Sequence, residues 1–220
     1  MTAHVRAVWT DYGGVLTPPI DHTMSIFCAR VGVREDAFLG AMRTVADAYG
    51  TDIMAPLDTP LMTEEEWSSE MEDILRRDHD ASVDLSGFGE KWFTDRETNE
   101  RWLDRLRRLK AAGAFVGMLS NMVPSWDRHW RRLIPPEELF DAVVLSFEAG
   151  CRKPEQKIFD LAADRAGVAP AECVMVDDLA ANCAGAAEAG WQAVHFTDTA
   201  AAIDELEHLL APEYRAKTEV

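Results

Sequence analysis

The chain has 220 residues, a length suited to one domain or to one core carrying a large insertion. Apolar residues make up 47% and charged residues 28%, so there is enough hydrophobic surface to exclude bulk disorder. Asp and Glu number 39 against 22 Lys and Arg, and the net charge of −17 excludes a general nucleic-acid or anionic-membrane surface. An anionic ligand therefore needs a local cation, because the overall field repels it.

Val5 to Thr10 is short, apolar and rich in β-formers, and it runs into Asp11-Tyr12-Gly13-Gly14, the pattern of a buried strand entering a Gly-rich loop. The next hundred residues are mainly helical in pattern. Phe38, Met42, Val45 and Tyr49 recur at spacings of three and four. Thr51 to Pro60 reads as a loop, and Thr63 with Glu66 is a capping-box signature ahead of Trp67, Met71, Ile74 and Leu75. From Asn99, Trp102, Leu103, Leu106 and Leu109 mark a basic amphipathic helix ending at Gly113. Ala114 to Leu119 reads as a buried strand before Ser120-Asn121, and Ser125 to Leu133 as a short helix. Ala142 to Ser146 is a further strand leading into Arg152-Lys153-Pro154, with Pro154 expected at the first position of a helix to Gly167. Cys173 to Val176 is a strand ending at Asp177-Asp178, followed by an Ala-rich helix, a strand over Gln192 to Phe196 and a last helix around Ile203, Leu206 and Leu210.

Apolar strands alternating with helices from residue 114 onward predict an α/β fold with a Rossmann-like parallel sheet. The first strand must join that sheet. Residues 1–17 and 96–220 therefore form the core, residues 18–95 are an inserted helical cap, and 211–220 are a loose tail. Cys28, Cys151, Cys173 and Cys183 form no CxxC pair and read as reduced, buried thiols. No secretory signal is visible, and the longest apolar run, 111–119, is about half a membrane span, so the expected location is cytoplasmic. Trp67, Trp102 and Trp130 fall on apolar stripes and read as core.

In an open parallel sheet, ligands bind beyond the carboxyl ends of the strands. Four predicted strands end there in polar groups: Asp11, Ser120, the loop with Lys153, and Asp177-Asp178. Any one of these alone reads as a turn, a cap or a solvated charge. Together they suit phosphoryl transfer, in which an aspartate attacks phosphorus and a divalent metal neutralises both anions. Magnesium takes hard oxygen ligands, which Asp11, the Gly13 carbonyl and Asp178 can offer. Lys153 would hold phosphate oxygens as a point charge, with Ser120 or the Asn121 amide donating to another.

Asp-Tyr-Gly-Gly-Val-Leu-Thr at 11–17, Leu-Ser-Asn at 119–121, Arg-Lys-Pro-Glu at 152–155 and Val-Asp-Asp-x-x-x-Asn at 176–182 resemble, in order, the four motifs of the haloacid dehalogenase (HAD) superfamily. The resemblance covers essentially the whole chain, and the insertion resembles the helical cap of subfamily I. It implies a Mg²⁺-dependent phosphatase acting on a small phosphorylated metabolite, a sugar or polyol phosphate, through an aspartyl-phosphate. By resemblance Asp11 is the nucleophile, Gly13, Gly14, Ser120, Asn121 and Lys153 bind phosphate, Asp11, Gly13, Asp177 and Asp178 serve the metal, and Asn182 orients the fourth motif. No nucleic-acid or membrane partner is implied.

One position departs from the phosphatase pattern. Most such phosphatases carry a second Asp two residues after the nucleophile as general acid and base, and here Gly13 stands in that place. Loss of such a group costs about 10²- to 10⁴-fold in rate. Asp21 or His22 are candidate replacements, or the leaving group departs with little protonation, as in a subgroup resembling sugar-1-phosphate phosphatases. Two other readings stay open: a dehalogenase attacking carbon without metal, and a degenerate HAD fold used for binding. Specificity is expected in the cap, where Asp21, His22, Tyr49 and Asp52 are polar candidates.

Overall fold

The computed structural model describes residues 4–59 and 61–215. The chain opens with β1 (Ala7–Thr10), buried at every residue as a parallel strand covered on both faces must be. Five helices follow: α1 (Ile20–Val31), α2 (Glu35–Tyr49), α3 (Ala55–Asp58), α4 (Glu64–His79) and α5 (Phe88–Phe93). Then come α6 (Glu100–Ala111), β2 (Phe115–Ser120), α7 (Asp127–Leu133), α8 (Pro136–Leu139), β3 (Ala142–Leu145) and α9 (Ser146–Ala149). The chain closes through α10 (Gln156–Ala166), β4 (Cys173–Asp177), α11 (Ala180–Glu188), β5 (Gln192–His195) and α12 (Thr199–Leu209).

The five strands form one all-parallel sheet in the order β3-β2-β1-β4-β5. The strand order reverses at β1, with β2 and β3 on one side and β4 and β5 on the other. That makes the carboxyl end of the β1–β4 pair the switch point where such sheets open a crevice. Alternation along β1 sends Ala7 and Trp9 into a core with Ile158, Phe159, Met175 and Trp191. Trp9 lies 5.4 Å from the Phe115 ring and 6.3 Å from Trp191. Its register partner is Gly117, where a Cβ would come within 2.4 Å of the indole. Only glycine leaves room for that ring.

The described residues divide into two compact units. One takes those of 1–19, 97–121 and 135–220, and the other those of 20–96 and 122–134. The second unit is helical and centres on aromatic rings. Phe27 and Trp67 each lie 4.9 Å from Phe88, and Trp92 stacks on Trp126 at 5.7 Å. The capping box that opens α4 is present, with Thr63 Oγ1 accepting from the Glu66 N–H at 3.1 Å and Glu66 Oε2 accepting from the Thr63 N–H at 2.9 Å.

Several details differ from the sequence reading. Residues 122–134, assigned there to the core, group with the helical unit because Trp126 enters its aromatic cluster and donates through Nε1 to Glu64 at 3.0 Å. Tyr49 ends the α2 stripe at 45% exposure, so the buried apolar face stops at Ala46. Val5 stands outside β1 and makes an isolated parallel bridge to Leu210. Pro154 follows a cis peptide and precedes Glu155, the N-cap of α10, so it lies outside the helix. The expected loose tail is anchored as far as Arg215. The Ala211 N–H donates to the Val5 carbonyl at 3.0 Å, Arg105 reaches the Tyr214 carbonyl at 3.3 Å, and Arg215 reaches that of Leu210 at 3.1 Å. The remainder of that tail, 216–220, lies outside the described residues.

Trp67, Trp102 and Trp130 are fully buried, as their stripes implied. The four cysteines are buried free thiols, and burial pushes Cys28 and Cys173 up to about 12. No helix among the described residues is long and apolar enough to cross a membrane.

Candidate active site

The site is built at the carboxyl ends of β1, β2 and β4. The Asp11 N–H donates to the Val176 carbonyl at 2.9 Å, extending the β1–β4 ladder by one residue and setting Asp11 beside Asp177. Asp11, Asp177 and Asp178 each present a carboxylate oxygen within 4.8 Å of the others. Lys153 joins them from the loop between α9 and α10. Its Nζ donates to Asp11 Oδ1 at 2.8 Å and to Asp177 Oδ2 at 2.5 Å, with its side chain only 1% exposed.

Each group is held by partners that assign it a different task. Asp177 is fully buried, and its second oxygen accepts from the Leu179 N–H and from Asn182 Nδ2, both at 2.9 Å. Both of its oxygens are therefore engaged by protein donors. Asp177, read from the sequence as serving the metal, anchors Lys153 and the start of α11 and stays in one carboxylate cluster with Asp11 and Asp178. Asn182 orients this loop as expected. Asp178 is half-buried, and its main-chain carbonyl lies 3.0 Å from His195 Nε2. Gly14 (φ +78°) lies against its carboxylate so closely that a Cβ there would sit 2.0 Å from Asp178 Oδ2. Both the backbone conformation and the space call for glycine.

Lys153 does not stand as an open cation waiting for an anion, because it already neutralises two carboxylates. Asn121, expected to donate to phosphate, uses its side chain otherwise. Its Oδ1 accepts from the Lys153 N–H at 2.8 Å and its Nδ2 donates to the Lys153 carbonyl at 3.0 Å, fixing the lysine backbone. Ser120, 3% exposed, ends β2, and its hydroxyl lies 3.5 Å from the Asn121 carbonyl, at the outer limit of a hydrogen bond. Gly13 lies half-buried in the turn after Asp11. Of the other candidates, Asp21 and His22 are exposed in the first turn of α1, and Asp52 accepts from the Met54 and Ala55 N–H groups, acting as a local turn residue.

The electrostatics are strained in one direction. Three carboxylates share one ammonium. Burial, then Asp11 and Asp177, push Asp178 up to about 7. Burial also raises Asp11, against the pull of Lys153. Burial pulls the Lys153 ammonium down, but Asp11 and Asp177 outweigh it and hold it above its ordinary range. A site with this surplus of hard anionic oxygens fits a small dication, which would relieve the repulsion that protonation otherwise relieves. Asp11 and Asp178 are the side chains best placed to hold it.

The family model for haloacid dehalogenase-like hydrolases matches residues 5–190 of this chain. The chain belongs to that family. Among curated relatives, a sesquiterpene phosphatase of Aspergillus oryzae is 33% identical over 111 residues, 50% of this chain and 56% of that protein. A glyceraldehyde 3-phosphate phosphatase of Pyrococcus furiosus is 33% identical over 94 residues, 41% of this chain and 38% of that protein. The matches thus span about half or less of those relatives' own length. Solved HAD structures share the fold. A HAD-family enzyme from Bacteroides thetaiotaomicron, in complex with magnesium and inorganic phosphate, has a TM-score of 0.62 at 22% identity, covering 86% of this chain and 93% of that one. The L-2-haloacid dehalogenase of Xanthobacter autotrophicus has a TM-score of 0.64 at 18% identity, covering 96% of this chain and 86% of that one. This chain is an enzyme of the HAD hydrolase family with a Rossmann-like α/β core.

Proposed function

We propose that this HAD hydrolase is a magnesium-dependent phosphatase that hydrolyses a small phosphorylated metabolite through an aspartyl-phosphate on Asp11. The observation that carries this reading is the placement of Asp178 beside Asp11, Asp177 and Lys153, with Gly14 opening the space for its carboxylate. Attack on a carbon–halogen bond has no use for an extra anion at that point. Phosphoryl transfer does, because Asp178 and Asp11 would hold a Mg²⁺ that neutralises charge on the phosphate.

Lys153 favours the ionised form of the buried Asp11 carboxylate, against the burial that raises it, and donates to its Oδ1. The Asp11 carboxylate attacks phosphorus, the bond from phosphorus to the ester oxygen breaks, and the organic part leaves as the alcohol on taking a proton from solvent. Water then attacks the phosphorus of the aspartyl-phosphate and gives up a proton to solvent, the phosphorus–Asp11 bond breaks, and inorganic phosphate leaves with the carboxylate restored. Gly13 supplies no side chain for the proton transfers. The reading therefore favours esters with leaving groups that need little help, anomeric sugar phosphates first, with other sugar, polyol and terpenyl phosphates as the wider class.

A panel of phosphate monoesters assayed with magnesium and with a chelator tests the proposal. The expected outcome is phosphate release that stops on chelation and is abolished in Asp11→Asn. Uniform inactivity on the panel together with halide release from 2-haloacids would overturn it.

A further inference from the structure

Beyond the family motifs, the first turn of α6 grips the nucleophile loop at both ends. Thr10 is fully buried in β1, a strand covered on both faces, and its hydroxyl has two partners there. It accepts from Trp102 Nε1 at 3.1 Å and donates to the main-chain carbonyl of Asp11 at 3.0 Å. The peptide group is planar, so fixing the Asp11 carbonyl also fixes the direction of the Tyr12 N–H on its opposite side. The chain of bonds thus runs from the indole of Trp102, through the Thr10 hydroxyl, to the main chain of Asp11, the residue that bears the attacking carboxylate.

At the far end of the loop, Asn99 caps α6 by accepting from the Trp102 N–H at 3.2 Å. Its Nδ2 donates to the Val15 carbonyl at 3.0 Å and to Thr199 Oγ1 at 2.9 Å, while its own N–H donates to the Leu16 carbonyl at 2.8 Å. Packing alone does not require the Trp102 bond. Trp9 and Trp191, buried in the same unit, leave their Nε1 atoms without a partner.

We infer that Thr10, Trp102 and Asn99 are positioning residues for Asp11, with the Trp102–Thr10 bond aiming its carboxylate and Asn99 holding the loop that follows. The kinetic part rests on the phosphatase reading, while the structural part does not. The variants are Thr10→Val, which keeps shape and removes the hydroxyl, Trp102→Phe, the double variant, and Thr10→Ser as the conservative control. Each is compared with the parent protein in thermal melting, in amide hydrogen exchange of residues 11–17, and in kcat and KM on the best ester of the panel.

Thr10→Val and Trp102→Phe are expected to lower kcat about 10- to 100-fold with KM little changed, since misplacing a reacting group acts mainly on the chemical step. The double variant should lose no more than the worse single one, because both break one chain of bonds. Thr10→Ser should recover most of the rate, and exchange should quicken at 11–17 in Thr10→Val. Losses that multiply in the double variant, or a Thr10→Val protein with parental kcat and exchange, would overturn the inference. If the parent turns over no ester, the phosphatase reading fails, and exchange decides alone: unchanged protection of 11–17 in Thr10→Val sinks the positioning role.

Discussion

At the scale of single residues, the site is governed by what its side chains are already bonded to. Lys153 and Asp177 satisfy one another, which leaves Asp178 as the carboxylate most responsive to a cation. Gly14 makes that carboxylate possible, so Gly14→Ala has a definite expected effect. The added methyl would overlap Asp178 Oδ2 at 2.0 Å, and the backbone at φ +78° disfavours any Cβ. The aspartate must swing away, and magnesium half-saturation should rise by about tenfold or more, as when a metal ligand loses its orientation. Titration calorimetry with magnesium reads this directly, and unchanged affinity would show that Asp178 is not a ligand.

At the scale of elements, local rules and tertiary contacts divide the work. The capping box of α4 was legible in the sequence because Thr63 and Glu66 satisfy each other's backbone N–H groups without help from elsewhere. Thr63→Ala should cost about 1 kcal/mol. That corresponds to a fall of about 2–4 °C in melting temperature, measurable by calorimetry, with catalysis unaffected. The strand ends were legible for a similar reason, since apolar runs stopping at Asp11, Ser120 and Asp177 mark where a parallel sheet meets its crevice. Partners chosen across the fold were not. Nothing local says that Asn121 turns to the Lys153 backbone, that Asp177 is spent on Lys153 and Asn182, or that Trp126 draws residues 122–134 into the helical unit. Trp102 was read only as core, because a stripe at helical spacing does not reveal which indole has its N–H aimed at a threonine.

At the scale of the whole molecule, the buried charge of the site enters the stability of the fold. The folded state holds the Asp178 proton up to about 7, well above the ordinary carboxylate value of 3.8. Between those values the native state therefore binds more protons than the unfolded chain, and stability falls as pH rises through the interval. Asp11 is raised as well and adds to the loss in the same sense. The ion-free protein should melt at a lower temperature at about pH 8 than at about pH 5, and Asp178→Asn should flatten that slope. Magnesium binds the deprotonated form, so its stabilising effect should grow over the same range. Scanning calorimetry across pH, with and without the ion, checks both statements.

The ladder between β1 and β4 pairs Thr10 with Val176 and carries on through the Asp11 N–H. The separation of the reactive carboxylates is consequently a property of main-chain registration. A slip of one residue would reverse the faces of a strand and carry Asp11 away from Asp177 by roughly 3.3 Å. No half-assembled sheet can hold a feeble version of this centre. In a denaturant titration, turnover and the spectroscopic signal of the sheet should vanish together at a single midpoint.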